Sequence, residues 1–331
     1  MDLIEQYLEW KQFNQGRSIG TCVKYRCYLK RLSDSLPGEL VDAEKEQLEA
    51  FVGIDAHKEG LAPKSRRAMV AAIRGFYSWL LREKKISVNP ASIIEYPTAG
   101  NKLPIAASLN TAEKLLMAPD LNTLKGVRDA AILAVLIGGG LRISGLCRLN
   151  ESHMLWFKEA DGSERLVLKV TEKGNKERLL PMTSEARLLI RAYLGHPDLK
   201  YIDRTLNDSD KVLFVSFRNR TIPEYDYHGE RRRLSARSIH DMIQLYGKQQ
   251  GLPVNQLHPH AMRHLFGTEL AESDMDLLKS QTLLGHSDPK TSAIYMKLAI
   301  RKLAKVVDIA SPLRKIKTPV SELAQHIENK K

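Results

Sequence analysis

Cysteine is scarce: the 331-residue chain has three, Cys22, Cys27 and Cys147. An odd count with no C-x-x-C pair builds neither a disulfide framework nor a zinc finger, so free thiols in a reducing cytosol are expected. Aromatic residues are sparse at 6%. Long apolar runs are missing as well. None approaches the roughly 18 residues of a membrane helix, and the N-terminal MDLIEQYLEWKQF carries acids early instead of the apolar core of a secretion signal. These absences point to a soluble cytoplasmic protein without membrane association. Acids are outnumbered by Lys and Arg, 39 to 51, leaving a formal charge of +12. That excess favours a polyanionic partner, whose counterions are released on binding, without identifying it.

The chain is long enough for two domains, at about 150 residues each. Its 43% hydrophobic and 27% charged residues are ordinary for globular cores. Apolar spacing predicts a helix over 2–13 through Leu3, Ile4, Tyr7, Leu8 and Trp10, a second capped by Ser18 or Thr21, and a third over about 43–55. Residues 64–85 form a long amphipathic helix. Met69, Ile73, Phe76, Tyr77 and Leu80 make its apolar stripe, and Lys64, Arg66, Arg67, Arg74 and Arg82 fall largely outside it. These cations suit either a solvated face or contact with phosphates.

The stretch VNPASIIEYPTAGNKLP, with three prolines, marks a domain boundary at 88–104. A second helical region opens near Thr111 with Ser108 to Thr111 as caps, and RDAAILAVLIGGGL reads as a buried helix over 128–141 stopped by its glycines. LVLKV (166–170) and RLLPM (178–182) read as a hairpin turning at Gly-Asn, and KVLFVS (211–216) as a further strand or the start of a buried helix. The chain is then helical by pattern from about 235 to 310.

Within HPHAMRH, Pro259 suits a first helical turn, so His260, Arg263 and His264 project from one helix at i, i+3 and i+4. His260 and His264 have the spacing of a metalloprotease zinc pair, but the glutamate of HExxH is replaced by Ala261-Met262 and no third ligand is nominated. A packed histidine pair is the plainer alternative. Arg142 follows the glycine run, Lys173 sits in the turn TEKGNKER whose two lysines and arginine can reach a phosphate, and LLGHS with His286 precedes a helix bearing Tyr295. Singly each has a structural explanation. Jointly, two arginines, a lysine, two histidines and a tyrosine supply the charge stabilisation, nucleophile and acid that phosphoryl transfer between hydroxyls demands, with no metal or cofactor. Arginine's planar fork suits the clamp and stays charged at any working pH.

The order GLRIS, KGNKER, HAMRH, LLGHS and a tyrosine nine residues after the last histidine resembles the tyrosine recombinase (phage integrase) family, especially its Xer-type and transposon-encoded members. The resemblance implies a mainly α fold with a small β-sheet. Residues 1–97 would be a helical, SAM-like core-binding domain, 98–106 a linker, 107–315 the catalytic domain, and 316–331 a tail helix for protomer exchange. By position, Arg142 and Arg263 would grip the scissile phosphate, and Lys173 would protonate the leaving 5′ oxygen. His260 would assist proton transfer, His286 would hydrogen-bond the phosphate, and Tyr295 would form a 3′-phosphotyrosyl bond. His264 would brace this group by packing. Lys64, Arg66, Arg67 and Arg74 would contact the DNA backbone. The family usually carries an acid three positions after its first arginine; Gly145 stands there, with Glu151 a candidate substitute.

The implied partners are double-stranded DNA with specific sites, a homotetramer in the synaptic complex, and accessory DNA-bending proteins. Two other readings stay open: a type IB topoisomerase-like relaxing enzyme, and a DNA-binding accessory protein with weakened catalysis. The tail has Val320, Leu323, Ala324 and Ile327 at helical spacing, to dock on a neighbouring protomer or on its own domain.

Overall fold

The computed structural model describes residues 2–98, 105–159, 162–172, 176–219, 221–272 and 304–320. The chain separates into two units, Met1–Leu103 and Pro104–Lys331, each with its own hydrophobic core. Among the described residues no helix is long and apolar enough to cross a membrane.

The first unit is helical. Asp2 and Ser18 accept from the backbone N–H groups of Ile4 and Thr21 and so open α1 (Leu3–Phe13) and α2 (Ile19–Ser35), satisfying donors a helix start leaves orphaned. The helix expected over 43–55 is present over 45–58 as α3 (Lys45–Ala50), a wide π turn (Phe51–Asp55) and α4 (Ala56–Lys58), which follow one another without a gap. Gly53 lies in that turn, where a residue of poor helix propensity lets the backbone widen. The long amphipathic helix forms α5 (Pro63–Arg82) with proline in its first turn, and its predicted stripe is buried throughout. Phe76 meets Tyr7 edge-on at 5.4 Å between ring centroids, and Tyr77 donates its hydroxyl hydrogen to the Leu40 carbonyl at 2.7 Å.

The second unit is built around one nearly wholly buried helix. Ser108 caps α6 (Leu109–Met117), and α7 (Leu124–Gly139) follows, then the short α8 (Ile143–Cys147). A three-stranded antiparallel sheet comes next, in the order β1 (Met154–Lys158), β2 (Glu164–Glu172), β3 (Lys176–Pro181). The expected hairpin is β2–β3, with Val170 opposite Arg178; its turn residues lie outside those described. Strand β1 is an addition to the elements expected, because none of its five residues is fully buried and the apolar pattern is correspondingly weak. Residues 212–215 are buried but neither a helix start nor a strand: single bridges join Val212 to Asn150 and Val215 to Arg233. Helices α9 (Ser184–Leu194), α10 (Ala236–Gln249) and α11 (Pro259–Glu272) complete the unit, with a helical stretch at 304–310 and a tight turn at Pro312–Arg314. The helical pattern expected over 235–310 is therefore present in its described parts.

The glycines closing α7 are a packing junction. A Cβ on Gly138 would stand 2.7 Å from Leu313 Cδ1, one on Gly139 2.6 Å from Met182 Cε and 3.0 Å from Leu180 Cδ2, and one on Gly140 2.5 Å from Phe266 Cδ1. The C-terminal segment, the hairpin and α11 thus each approach one glycine of the run. Two of these glycines cost helix propensity, about 1 kcal/mol each against alanine, and the three close approaches offset it.

Near the other end of α7 lies a buried polar group. Arg128 Nε donates to Asp129 Oδ1 at 2.9 Å and Nη1 to the Val215 carbonyl at 2.6 Å, while the Tyr246 hydroxyl donates to Asp129 Oδ2 at 2.9 Å. Removing one partner of a buried ion pair strands the other charge. Asp129→Ala is therefore expected to destabilise the second unit by about 3–5 kcal/mol, and Tyr246→Phe by about 1 kcal/mol, both measured as shifts of the urea unfolding midpoint.

Candidate active site

Helix α7 ends where Gly140 adopts the left-handed conformation, φ 56° and ψ 34°, with its N–H on the Leu136 carbonyl. The Gly140 carbonyl then accepts from Arg263 Nη1 at 2.6 Å. A helix C-terminus presents unsatisfied carbonyls and the negative end of the helix dipole, so a guanidinium placed there is both bonded and aimed. Arg263 is only 7% exposed. Two residues after Gly140, Arg142 stands in extended backbone at the N-cap of α8, its carbonyl accepting from the N–H groups of Gly145 and Leu146. This short helix is fastened from outside: Arg233 donates to the carbonyls of Cys147 and Leu149 at 3.0 and 3.1 Å and to Asn150 Oδ1 at 2.7 Å.

A third arginine joins the pair. Arg178 lies on β3 two residues before Leu180, and Leu180 faces the Gly139 backbone, so strand alternation turns both inward. Burial, then Arg142, then Arg178 push the Arg263 guanidinium down to about 9. Burial and Arg142 push Arg178 down to about 10. Both remain charged at neutral pH. Like charges brought together in a partly desolvated place favour an anion among them.

Helix α11 supplies the histidines. His258 Nδ1 accepts from the Ala261 N–H at 3.0 Å, so this ring caps the helix that Pro259 begins. Each of the three imidazoles is harder to protonate than usual. For His258 the causes are burial and then His260; for His260, burial, His264, Arg263 and Arg142; for His264, burial, His258 and Arg263. His260 is nonetheless exposed, so a ligand can reach it. The arrangement offers two or three guanidiniums and a neutral imidazole to a single anionic group.

Of the residues nominated from sequence, Arg142, His260 and Arg263 come together, with His264 beside them. Lys173, His286 and Tyr295 lie outside the described residues. Arg178, the arginine of TEKGNKER that can reach a phosphate, has no assigned role in the sequence reading; alternation with the buried Leu180 is the signal that turns it inward. Glu151 does not replace the acid absent at Gly145: it pairs with Arg204, whose Nη1 also donates to the Val212 carbonyl at 2.9 Å. On α5, Lys64 is exposed, while Arg66 donates to the Val52 carbonyl at 3.0 Å, Arg67 to Pro97 at 2.9 Å and Arg74 to Ile94 at 3.1 Å. Arg67 and Arg74 also lie over the Tyr96 ring. A guanidinium has five N–H donors, so one carbonyl leaves several for a phosphate. The start of the tail packs on its own unit: Ile316 is buried, Val320 lies against the core, and Lys315 pairs with the buried Glu269. Leu323, Ala324 and Ile327 are outside the described residues.

Sequence comparison matches residues 108–301 to the Phage integrase family and residues 4–84 to the Phage integrase, N-terminal SAM-like domain. A tyrosine recombinase XerC of Myxococcus xanthus is 34% identical over 318 residues, covering 94% of this chain and 97% of the relative. One of Xylella fastidiosa is 31% identical over 314 residues, with the same coverage. Among solved structures, XerH site-specific recombinase bound to palindromic difH substrate has a TM-score of 0.61 at 18% identity, covering 92% of this chain and 83% of that one. A lambda integrase dimer bound to a COC′ core site has a TM-score of 0.60 at 15% identity, covering 88% and 98%. These two likenesses establish the shared fold.

Two measurements follow from the geometry. Gly140→Ala, which forces φ 56° on a side-chain residue and drives its Cβ into Phe266, is expected to lower the unfolding free energy by about 2 kcal/mol or more and to weaken sulfate binding through the displaced Arg263. Unchanged sulfate affinity in a folded variant would refute the link. The histidine shifts carry a pH sign. Because folding lowers their pKa, the unfolded chain binds more protons as the pH falls through about 6.5. Stability is thus full above that value and declines below it. Thermal unfolding should show a lower midpoint at pH 5.5 than at pH 7.5, partly restored by sulfate, which favours the protonated rings. His260→Asn should flatten the dependence.

Proposed function

The chain belongs to the phage integrase family and is a tyrosine site-specific recombinase; from that premise we propose that Arg142 and Arg263 seat the scissile phosphate of a DNA duplex and that Tyr295 attacks it. The observation that carries this reading is the convergence of Arg142, from the turn after α7, and Arg263, from α11, beside His260, with the Gly140 carbonyl orienting one of them. A phosphodiester anion is the ligand this charge pattern suits, and arginine forks hold its non-bridging oxygens bidentately.

In the proposed reaction the Tyr295 oxygen bonds to phosphorus as the bond to the 5′ oxygen breaks. The phenolic proton passes to His260, whose depressed basicity keeps it a neutral acceptor at neutral pH. Lys173 gives a proton to the departing 5′ oxygen, and His286 donates to the phosphate. The guanidiniums stabilise charge that grows on the non-bridging oxygens in the transition state, which is where fixed donors lower a barrier most. Phosphodiester and phosphotyrosyl bonds replace one another, so a free 5′ hydroxyl from a second duplex runs the steps backward and completes exchange. His264, one turn from His260, braces the group.

The same reading makes residues 1–97 a core-binding domain and 107–315 the catalytic domain, joined by 98–106. Lys64 and the remaining donors of Arg66, Arg67 and Arg74 contact the DNA backbone. Exchange between two duplexes, each cut on both strands, calls for four protomers, with residues 316–331 linking neighbours and DNA-bending proteins assisting in the cytoplasm. Relatives named as recombinases favour strand exchange over a relaxing enzyme.

The test finds the DNA site as it runs. Fragmented genomic DNA from the organism encoding the chain is incubated with the protein in EDTA and denatured, and covalent protein–DNA adducts are recovered and sequenced. Adducts at one recurrent sequence are expected, absent with Tyr295→Phe and reduced about 10²–10³-fold with Arg263→Ala. No adduct with the wild type, or one undiminished in Tyr295→Phe, refutes the assignment. A plasmid carrying two copies of the recovered site should then recombine; relaxation without recombination would favour the topoisomerase reading.

A further inference from the structure

We propose that Arg178 is a third phosphate-binding guanidinium of the cleavage site, donating to a non-bridging oxygen of the same phosphate as Arg142 and Arg263. This inference rests on the proposed role of those two arginines at the scissile phosphate.

Topology places the residue. Arg178 shares the inward face of β3 with Leu180, and the strand is held in register by its pairing with β2, Leu180 opposite Leu168 and Arg178 opposite Val170. At its end Met182 N–H donates to the Leu166 carbonyl at 2.8 Å. Leu180 and Met182 both reach the Gly139 backbone, one residue from the carbonyl that holds Arg263 and three from Arg142. The inward side chain two residues before Leu180 therefore projects along the end of α7 toward the two clamp arginines. Their charges act on one another: Arg142 on Arg178, and both on Arg263.

Chemistry gives the arrangement a use. A phosphodiester carries one negative charge, but the transition state of its transfer places more on the non-bridging oxygens. A third cation on a rigid strand, already ordered and partly desolvated, interacts more strongly with that growing charge than with the ground state, which is the condition for lowering a barrier. Arginine suits such a position because it stays charged where burial would neutralise a lysine. Arg178 also stands in the hairpin that carries Lys173, so a phosphate bound to it would tie the hairpin to the reacting group.

Two measurements on the full chain decide the matter. In calorimetric titration with inorganic phosphate at pH 7.5, against chloride at equal ionic strength, Arg178→Gln should lower the affinity at least about tenfold, one direct charge-assisted contact. Circular dichroism and thermal unfolding verify that the variant is folded. In the second, adduct formation is timed on the recovered duplex site with either a phosphodiester or a neutral methylphosphonate at the scissile position. A phosphate contact predicts a loss of about 10²–10³-fold on the phosphodiester that shrinks below tenfold on the methylphosphonate, where a charged oxygen is missing. Equal losses on both substrates, or no loss on the phosphodiester, overturn the proposal in favour of a purely structural arginine. Should Arg178→Gln fail to fold, Arg178→Lys decides: an intermediate rate on the phosphodiester with a near-wild-type rate on the methylphosphonate supports the contact, and the same rate ratio on both refutes it. If the wild type forms no adduct, the recombinase chemistry assigned to Tyr295 fails, while the phosphate titration still judges Arg178 by itself.

Discussion

The hydrogen bond from Arg263 to the Gly140 carbonyl is the constraint on which the site depends. It exists because α7 stops in a left-handed glycine, which turns the chain abruptly and leaves a carbonyl pointing out of the helix end. Arg142 follows within two residues, so the element that anchors one guanidinium also delivers the other. The absence of Cβ atoms along the preceding turn lets β3, α11 and the C-terminal segment approach, and the first two carry Arg178 and Arg263. A buried hydrophobic helix thereby sets the coordinates of a cationic site.

That site is built against the ordinary preference of proteins to separate like charges. Burial lowers the proton affinity of Arg178 and Arg263, and the neighbouring cations lower it further; His258 and the two histidines of α11 are shifted the same way. A cluster of perturbed cationic groups is a pattern that marks candidate functional places. The same unit also holds ion pairs: Arg128 with Asp129, Arg204 with Glu151, Arg165 with Asp308. Glu151, committed to Arg204, leaves Gly145 uncompensated from that side. The C-terminal segment is likewise tied to its own unit through Lys315 and Glu269, and through the Lys317 N–H on Glu113.

Legibility differs by element. Strong periodicity makes α5 and the stop of α7 readable, because a wide apolar stripe and a glycine run each have one economical explanation. The helix over 43–55 reads as uniform although a π turn widens its second half: Phe51 and Val52 stay buried in that turn, so periodicity does not distinguish it. Strand β1 escapes notice because an edge strand with no fully buried residue leaves little alternation. Arg66, Arg67 and Arg74 read correctly as cations outside the stripe, but their carbonyl partners at Val52, Pro97 and Ile94 depend on how later segments fold back.

The sequence by itself determined which residue types stand in which order: the arginines, lysine, histidines and tyrosine proposed to stabilise, protonate and attack a phosphate, in an order along the chain that resembles one family. Residue type and spacing decide that much, since a guanidinium is a guanidinium in any fold and helical spacing places His260 and Arg263 near each other. Tertiary structure alone decided that Arg263 is aimed by a backbone carbonyl far away in sequence, that His258 is spent as a helix cap, and that Arg178 joins the cluster. Those facts depend on contacts between segments with no local relation to one another, formed only when the hairpin and α11 close on the glycines of α7.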